Sequence, residues 1–557
     1  MVVKLNQILG KPKKKLGRPG EPKGKPRKTI KPTVTPRRRW LEVRTARRPH
    51  RTGVMLVGWG GNNGTTLTAA LLANRAGLRW ETKEGERRAD WLGSLTQSST
   101  LRLGQDADGR DVWVPLADVV PLLRPDDLEV DGWDISGLDL AAAARRNRVL
   151  DVEVQRALEP ELRRLRPRAA AFDCGFVAAN QQERADHVLG GTRAQQVRQL
   201  REDIRDFKQG KSLDQVVVLW TANTERFADL RPGLNDTADN LLAAIERDES
   251  EVASSTLYAV AAILEGTLLD DFVNYFRYVQ CTFINGSPQN TLVPGCLELA
   301  ERHGTHVVGD DLKTGQTKLK SVLVDFLVGA GIKPTSIVSY NHLGNNDGKN
   351  LSAPHTFRSK EVGNPQHGLR ILAVVSPSVV SAHVPDPLPL LAPAQITKRN
   401  VVDDVVESNS ILYGPGERPD HVVVIKYVPY VGDSKRAMDE YSAEILFGGR
   451  QTFVVHNTCE DSLLAAPLLL DLVVLAEFCT RVGFRDAAAG PAEEYVPFHS
   501  VLALLSYLVK APMVPRGPVV NSLFRQRTCI ENMLRACVGL GPDSNMQLEH
   551  KLARPIV

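Results

Sequence analysis

The sequence lacks the features that mark membrane, secreted and zinc-binding proteins. It contains no uninterrupted apolar run of about 20 residues, so we predict no transmembrane helix. The basic N-terminus is not followed by an apolar core and a small-residue cleavage site, so we predict no secretory signal. The seven cysteines are odd in number and form no C-x-x-C pair. This spacing favours free thiols in a reducing compartment over a disulfide framework or a metal site.

Positive charge is concentrated at one end of the chain. Residues 1–50 hold 17 Lys and Arg against two Glu, a net charge of +15, so the rest of the chain carries −10 of the overall +5. The same segment holds seven prolines. Because this composition cannot bury a core, we predict that 1–50 is a disordered basic tail. It is either an aberrant start or solvated tail, or a nuclear-localisation or polyanion-binding arm. The body is acidic, and we expect neither a nucleic-acid nor a membrane partner for it.

The glycine-rich turn GWGGNNG at 58–64 is the strongest local motif. A β-rich apolar run at 54–57 precedes it, and the helix-periodic segment TTLTAALLANR at 65–75 follows. Between a strand and a helix, glycines let the backbone approach a pyrophosphate, which the N–H groups of the helix start can bind. The third glycine of the usual fingerprint is displaced, since Asn63 occupies its place and Gly64 follows. The turn predicts a dinucleotide site, with a ligand-free strand-to-helix turn as the alternative.

Further apolar runs, at 216–220, 337–340 and 422–427, alternate with helix-periodic segments and predict buried strands of a parallel α/β sheet. Since α/β sheets bind ligands beyond the carboxyl ends of their strands, polar blocks that follow these runs should converge on one cleft. The ribose-binding acid, usually about 20 residues after the turn, has no clear candidate in the acidic segment 81–90. The polar blocks lie at 221–224, 285–291, 309–318, 341–348 and 432–435.

Four lysines lie near these blocks or near apolar elements, and they are Lys360, Lys398, Lys435 and Lys510. Clustered ammonium groups can bind a substrate phosphate or stabilise a developing enolate or alkoxide. A single lysine is more often solvated surface. Lys510 follows the mostly apolar run 502–509, so its side chain either snorkels to solvent or is buried for a purpose.

Together these blocks resemble the inositol-3-phosphate synthase (myo-inositol-1-phosphate synthase) family over roughly residues 52–362 and 397–555. The resemblance implies an isomerase that converts D-glucose 6-phosphate to 1D-myo-inositol 3-phosphate, the first step of inositol and phospholipid biosynthesis. In that reaction NAD oxidises C5, enolisation at C6 and an aldol closure onto C1 follow, and C5 is reduced again. The matching stretches are VGWGGNNGTT, NGSPQNTLVPG, GDDLKTGQTK, SYNHLGNNDGKNLSAP, FRSKEV, KYVPYVGDSKRAMDEY, HNTCEDSLLA and NSLFRQRTCIENMLR.

The resemblance also implies roles for individual residues. Asp134 would hold the adenosine ribose, and Gly60, Gly61, Asn62 and Asn63 would hold the pyrophosphate. The four lysines would be catalytic and phosphate-binding, and no metal is implied. The rest of the NAD site would be formed by Gln181, Arg184, Thr221, Ala222, Asn223, Thr224, Gly286, Asp311, Asn346 and Asp347, with Asp433 and Asp461 beside them.

The implied fold is α/β, with a Rossmann-type NAD-binding domain built from both ends of the chain and a central α+β domain for catalysis and tetramerisation. We expect a cytoplasmic homotetramer. The predicted order is the tail 1–50, the first Rossmann part 51–317, the catalytic and oligomerisation domain 318–464, and the C-terminal Rossmann part 465–557.

The chain departs from the family pattern at an insert, 363–396, with six prolines and only two formal charges. It separates Lys360 from Lys398, which the family places four residues apart, and a smaller aromatic addition lies at 267–280. The insert is either an intervening sequence translated as protein or a looped-out excursion, which loop-closure entropy permits at modest cost. In the second case the two lysines should still converge. A conventional NAD-dependent dehydrogenase and a catalytically silent, tetramer-forming isoform are the competing functions.

Overall fold

The computed structural model describes residues 2–8, 36–266, 281–361, 400–488, 494–515 and 519–543 of the 557-residue chain. In chain order the strands are β1 (Val2–Ile8), β2 (Pro36–Thr45), β3 (Thr52–Val57), β4 (Arg79–Thr82), β5 (Gly85–Arg88), β6 (Thr100–Gln105), β7 (Asp111–Pro115), β8 (Glu129–Asp134), β9 (Arg168–Ala169), β10 (Gln215–Trp220), β11 (Cys281–Asn285), β12 (Val307–Val308), β13 (Lys333–Leu343), β14 (Asp420–Tyr427), β15 (Ser434–Glu444), β16 (Arg450–Glu460), β17 (Val482–Asp486) and β18 (Val496–Pro497). The α-helices are α1 (Asn62–Arg75), α2 (Leu95–Ser98), α3 (Leu140–Asn147), α4 (Val152–Leu162), α5 (Arg193–Gly210), α6 (Ala238–Glu246), α7 (Ser254–Glu265), α8 (Pro294–His303), α9 (Gly315–Gly329), α10 (Asn346–Asn350), α11 (Pro354–Glu361), α12 (Asp403–Ser408), α13 (Asp461–Thr480) and α14 (Leu523–Cys537).

The main sheet has six parallel strands in the order β12-β11-β10-β3-β8-β9. Its central strands are buried on both faces, because alternate residues enter different cores. Val54 and Leu56 of β3 join one hydrophobic cluster, whereas Met55 and Val57 join the other. The prediction of an α/β fold with a parallel sheet is therefore confirmed.

A second sheet has the order β14-β13-β15-β16, in which only β13 and β14 are parallel. The apolar runs at 337–340 and 422–427 are strands as predicted, but they belong to this mixed sheet. The prediction that they lie in the parallel sheet is wrong. The reason lies in their burial, because Ile337 and Ser339 face a core while Tyr340 is half exposed. Such alternation is typical of a sheet covered on one face.

The prediction of disorder over 1–50 is wrong at two strands, β1 and β2, and residues 9–35 of that segment lie outside the described residues. β1 pairs with β2, and β2 pairs antiparallel with β17 near the other end of the chain. Val43 is buried, and Glu42 accepts hydrogen bonds from Arg485 Nε and the Tyr495 hydroxyl, both at 3.0 Å. The backbone partner and the counter-charge both come from the distant C-terminal part, so local composition could not reveal them.

Among the described helices, α13 is the one that is long and apolar enough to cross a membrane. However, 89% of its most apolar stretch is buried inside the protein. It packs against α1 beside the main sheet, so the C-terminal part of the chain does contribute to the first core. Two buried acids interrupt its apolar sequence. Asp471 accepts hydrogen bonds from the backbone N–H and hydroxyl of Thr96, and Glu477 pairs with Arg481. These properties are those of a core helix.

Both segments that depart from the family pattern, 267–280 and 363–396, lie outside the described residues.

Candidate active site

A cleft opens at the carboxyl ends of the parallel strands. The chain passes from β3 to β8 and β9 on one side of β3 and then crosses to β10 on its other side. This reversal of strand order beside β3 leaves a crevice, where α/β sheets bind their ligands. With its open mouth the cleft encloses about 1540 Å³. The sequence-predicted residues that line it are Gly61, Asn62, Asn63, Asp134, Arg184, Thr221, Ala222, Asn223, Thr224, Gly286, Asp311, Asn346, Asp347, Lys435, Asp461 and Lys510.

The glycine turn leaves the start of α1 open toward this cleft. Gly61 caps the helix without a side-chain hydrogen bond, and no acidic residue occupies the first turn. Gly58 has a φ of +87°, which favours glycine. A Cβ on Gly64 would lie 2.3 Å from the backbone oxygen of Trp59, so this position also requires glycine. Gly64, the displaced third glycine, thus allows α1 to lie close to the turn. The free N–H groups at the start of α1 can bind a pyrophosphate.

Asp134 is the acid that the local fingerprint left unplaced. It ends β8, the neighbour of β3, and its carboxylate accepts hydrogen bonds from Gly60 N–H at 2.8 Å and Ser136 N–H at 2.9 Å. Burial raises the pKa of Asp134, and the two N–H groups oppose that shift. The hairpins β4–β5 and β6–β7 lie between the turn and this strand, so the acid comes about 70 residues after the turn.

Arg184 lines the cleft, and burial lowers the pKa of its guanidinium. Its Nε is buried and has no hydrogen-bond partner among the described residues. A buried donor without a partner costs about 1–3 kcal/mol, and a bound ligand would relieve that cost. The side chain is therefore arranged to meet a group that enters the cleft.

Two of the four predicted lysines are described with their side chains, and both enter the cleft beside a carboxylate. Lys510 Nζ lies 3.0 Å from Asp311 Oδ2, and both side chains are nearly buried. Lys435 Nζ lies 3.8 Å from Asp461 Oδ1 and is more exposed. Each pair can hold a proton close to a substrate oxygen while its net charge stays near zero.

The prediction that all four lysines converge on one pocket is not tested, because Lys360 and Lys398 are not described with their side chains. The backbone of Lys360 lies in α11, but its side chain is outside the described residues, as is the whole of Lys398. Convergence of all four lysines stays a prediction.

Three predicted cofactor residues lie behind the cleft surface. Gly60 is buried and gives its N–H to Asp134. Gln181 is fully buried, and its Oε1 accepts hydrogen bonds from the amides of Asn223 at 2.7 Å and Asn346 at 2.8 Å. This amide orients two cleft-lining side chains.

Asp433, the third of them, joins three parts of the chain. Its carboxylate accepts hydrogen bonds from Asn62 Nδ2 at 3.0 Å, from the Ser462 hydroxyl at 2.7 Å and from Ser462 N–H at 2.9 Å. Asn62 belongs to the glycine turn, and Ser462 is the second residue of α13. Asp433 is thus placed to position its neighbours, since its carboxylate oxygens are directed at them.

The start of α9 lies in the polar block 309–318, to which the sequence analysis assigned Asp311 but no helix start. Thr314 caps the helix without a side-chain hydrogen bond, lines the cleft, and is followed by a first turn free of acidic residues. A Cβ on Gly315 would lie 3.7 Å from the sulfur of Cys459, which is the register partner of Lys435. A free helix start beside a lysine is a site for an anion such as a phosphate.

Glu225 is a further cleft residue that the sequence analysis did not name. Its carboxylate is fully buried against the hydroxyl and N–H of Ser255, and burial raises its pKa to about 7. The backbone around it joins the main sheet to the segment that carries Lys360. Thr224 N–H donates to Asp347 at 2.8 Å, and the Ser359 hydroxyl donates to the Glu225 carbonyl at 2.8 Å.

Comparison with known proteins agrees with this geometry. The family model described as myo-inositol-1-phosphate synthase, an NAD-binding family, matches residues 52–535. Inositol-3-phosphate synthase 1 of Homo sapiens is 58% identical over 514 residues, which cover 92% of this chain and 83% of that protein. Inositol-3-phosphate synthase of Drosophila melanogaster is 56% identical over 519 residues, which cover 93% and 83%. The crystal structure of inositol-3-phosphate synthase from Caenorhabditis elegans superposes with a TM-score of 0.85 at 44% identity, covering 100% of this chain and 96% of that one.

The chain belongs to the myo-inositol-1-phosphate synthase family. Its cofactor is NAD, and the residues present fit that molecule. The free start of α1 matches the pyrophosphate, the Asp134 carboxylate matches a ribose hydroxyl, and the unpartnered Nε of Arg184 marks a place for a ligand acceptor. The resemblance seen in the sequence and the cofactor that it implied are both confirmed.

Proposed function

We propose that this member of the myo-inositol-1-phosphate synthase family converts D-glucose 6-phosphate to 1D-myo-inositol 3-phosphate. The observation that carries the proposal is the single cleft in which an NAD site and two lysine–carboxylate pairs meet. A dehydrogenase needs one acid–base group beside its hydride acceptor. Ring closure needs more, because oxyanions develop at C5 during enolisation and at C1 during the aldol step.

Bound NAD supplies the hydride acceptor for C5 and later the hydride that reduces it. The side chains of the protein bind the substrate and stabilise the negative charges that develop on it. We assign the substrate phosphate to the free start of α9 beside Thr314 and Lys435. The ammonium groups of Lys435 and Lys510 then stabilise the oxyanions, and their carboxylate partners Asp461 and Asp311 keep each lysine oriented.

The test is a product assay with a redox readout. The full-length protein with NAD is given glucose 6-phosphate, and inositol phosphate and the 340 nm absorbance of NADH are followed together. We expect inositol phosphate to accumulate without NADH beyond one equivalent per subunit. NADH that rises in step with product would instead identify a conventional dehydrogenase. NAD binding without either product would identify a silent isoform.

We also propose that the protein is a homotetramer and that the second sheet contributes to its contacts. One face of this sheet is open and carries the exposed apolar side chains Tyr340, Val422, Met438 and Val454. Tyr340 and Met438 are cross-strand neighbours, so these two side chains lie side by side on that face. Exposed apolar patches of this kind mark protein contacts. Light scattering should give four times the mass of 61.2 kDa, and Met438→Glu should lower it.

We propose a cytoplasmic location. All seven cysteines are free, which suits a reducing compartment. Cell fractionation of the full-length chain tests this, and recovery from an oxidising compartment with disulfides formed would contradict it.

A further inference from the structure

The corner of the cleft at the end of β8 holds a buried carboxylate that can accept further hydrogen bonds. Asp134 is 5% exposed, and its two oxygens accept hydrogen bonds from Gly60 N–H at 2.8 Å and Ser136 N–H at 2.9 Å. Each oxygen of an ionised carboxylate has two lone pairs, so each can still accept from a second donor. The hydroxyl groups of the adenosine ribose of NAD are donors of this kind.

Arg146 on α3 lies against the two residues that hold this carboxylate. Its Nη1 donates to the Ser136 hydroxyl at 3.0 Å, and its Nη2 donates to the Gly60 carbonyl at 3.0 Å. The Nε of Arg146 is buried and has no hydrogen-bond partner among the described residues. The guanidinium is therefore fixed beside Asp134 and still has an unused donor.

Arg184 reaches the same corner from another segment of the chain. Two residues beyond it, Asp186 accepts a hydrogen bond from Gly137 N–H at 2.8 Å, and the next N–H donates to the Ile135 carbonyl at 2.9 Å. The chain after Arg184 thus runs beside the chain that follows Asp134, and both of these side chains line the cleft. In the described part of the protein, the Arg184 guanidinium has neither a hydrogen-bond partner nor an ion-pair partner.

The charges of these side chains act on one another. Burial raises the pKa of Asp134, and the charges of Arg146 and Arg184 oppose that shift. Burial lowers the pKa of Arg146, whereas Asp134 and Asp186 oppose that change. The corner therefore contains a carboxylate that can bind ribose hydroxyls, together with two guanidinium groups of the kind that binds phosphate in a bidentate manner.

This combination bears on the choice between NAD and NADP, which carries a phosphate ester on the 2′-oxygen of its adenosine ribose. An acid at this place binds the 2′-hydroxyl of NAD, whereas an arginine accommodates the 2′-phosphate of NADP. A phosphate monoester carries about −1.5 to −2 charges at pH 7, so a buried carboxylate beside it would repel it.

We propose that the Asp134 carboxylate is the group that excludes NADP, and that Arg146 and Arg184 form a site for the 2′-phosphate that becomes usable when this carboxylate is removed. All three are specificity-determining residues for the cofactor. The inference concerns the NAD site and does not depend on the proposed ring closure.

The test is a fluorescence titration of the full-length protein with NADH and with NADPH, which needs no sugar substrate. We expect the wild type to bind NADH more tightly than NADPH. Asp134→Ser removes the charge and leaves space for a phosphate. It should raise the affinity for NADPH by about 10–100-fold, the contribution of one charge-assisted hydrogen bond, and lower the affinity for NADH. No gain in NADPH affinity would overturn the proposal.

Further variants assign the gain to the arginines. Asp134→Ser/Arg184→Met should lose most of the gain, and Asp134→Ser/Arg184→Lys should keep part of it, because lysine retains the charge. The same replacements at Arg146 test the second arginine. The readout is the ratio of NADPH to NADH affinity, since a general disturbance of the site would weaken both cofactors together. Double variants that keep the whole gain would reject the arginine site.

The matched control is Asp186→Asn, which removes a negative charge near Arg146 but opens no space beside the ribose. It should leave the affinity ratio within about threefold of wild type, because the carboxylate of Asp186 is directed at Gly137 N–H. A rise as large as that of Asp134→Ser would show that net charge sets the choice, and would overturn the proposal. If the Asp134 variants fail to fold, Arg184→Met in the wild-type background decides. It should weaken NADPH binding roughly tenfold more than NADH binding, and equal weakening would reject the site.

Discussion

Replacing Lys510 by methionine should slow catalysis and destabilise the protein, and the two effects can be separated. Lys510 Nζ lies 3.0 Å from Asp311 Oδ2, where an effective dielectric of about 20 gives roughly 5 kcal/mol of attraction. Breaking a buried pair leaves one charge uncompensated, so we expect Lys510→Met to lower the free energy of unfolding by about 3–5 kcal/mol. Loss of a preorganised cation at a developing oxyanion should lower kcat by roughly 10²–10³.

The double variant Lys510→Met/Asp311→Asn is the informative control. It removes both charges, so it should regain part of the lost unfolding free energy measured in urea. It should not regain turnover, because the ammonium group is still missing. Inositol phosphate formation from glucose 6-phosphate gives kcat, and unfolding is followed on the same preparations. A double variant that recovers kcat together with stability, or a single variant within threefold of wild type, would refute a chemical role for Lys510.

Other predictions concern the turn, the core helix and the insert. Gly64→Ala would place a Cβ 2.3 Å from a backbone oxygen, so NAD should bind roughly 10–100-fold more weakly in a fluorescence titration, whereas Gly329→Ala, with nothing within 4 Å, should bind as wild type. Glu477→Gln breaks a fully buried ion pair and should cost about 3–5 kcal/mol in urea unfolding, whereas Glu417→Gln in a partly exposed pair should cost less than about 1 kcal/mol. Burial opposes the shift, but hydrogen bonds from His50 and the charge of Arg481 lower the pKa of Glu477 in the folded protein. Its contribution is therefore present above the ordinary glutamate pKa and is lost as pH falls from there through the lowered pKa, which unfolding curves between pH 7 and pH 3 would detect. Deleting 363–396 should leave inositol phosphate output within about threefold if the insert loops out, because closing a longer loop costs little, and activity confined to the deletion would show that the insert blocks the site.

Local sequence predicted the elements whose structure depends on near neighbours. The strand–turn–helix at 54–75 was evident, because β-rich residues, glycines and helix periodicity follow one another within 22 positions. The polar blocks were also predicted to share a cleft, and most of their named residues do line one. Both results follow from rules that operate over a few residues or at the ends of strands.

Features that depend on distant partners could not be found in this way. β2 is stabilised by pairing with β17, more than 430 residues away, so its basic composition alone indicated disorder. The apolar runs 337–340 and 422–427 resemble strands of a parallel sheet, but they form β13 and β14 of the second sheet. The alternation of buried and exposed residues along β13 was the available signal for one covered face. No local signal predicts the burial of Lys313 and Lys320, because their partners lie on α14, β13 and β14.

Asp433 links the NAD-binding turn to the hairpin of β15 and β16, which carries Lys435. Its carboxylate binds Asn62 of the turn and Ser462 of α13, and two residues later the same strand segment presents Lys435 to the cleft. A shift of the turn that alters the Asn62 contact therefore reaches Lys435 through two residues of backbone. Because ring closure requires the same NAD to remove and return a hydride at C5, the lysines must keep their position through the whole cycle. Because the Asp433 carboxylate contacts the cofactor turn and directly precedes β15, it keeps Lys435 at a fixed position relative to the turn. Two domains that moved independently would not keep that position.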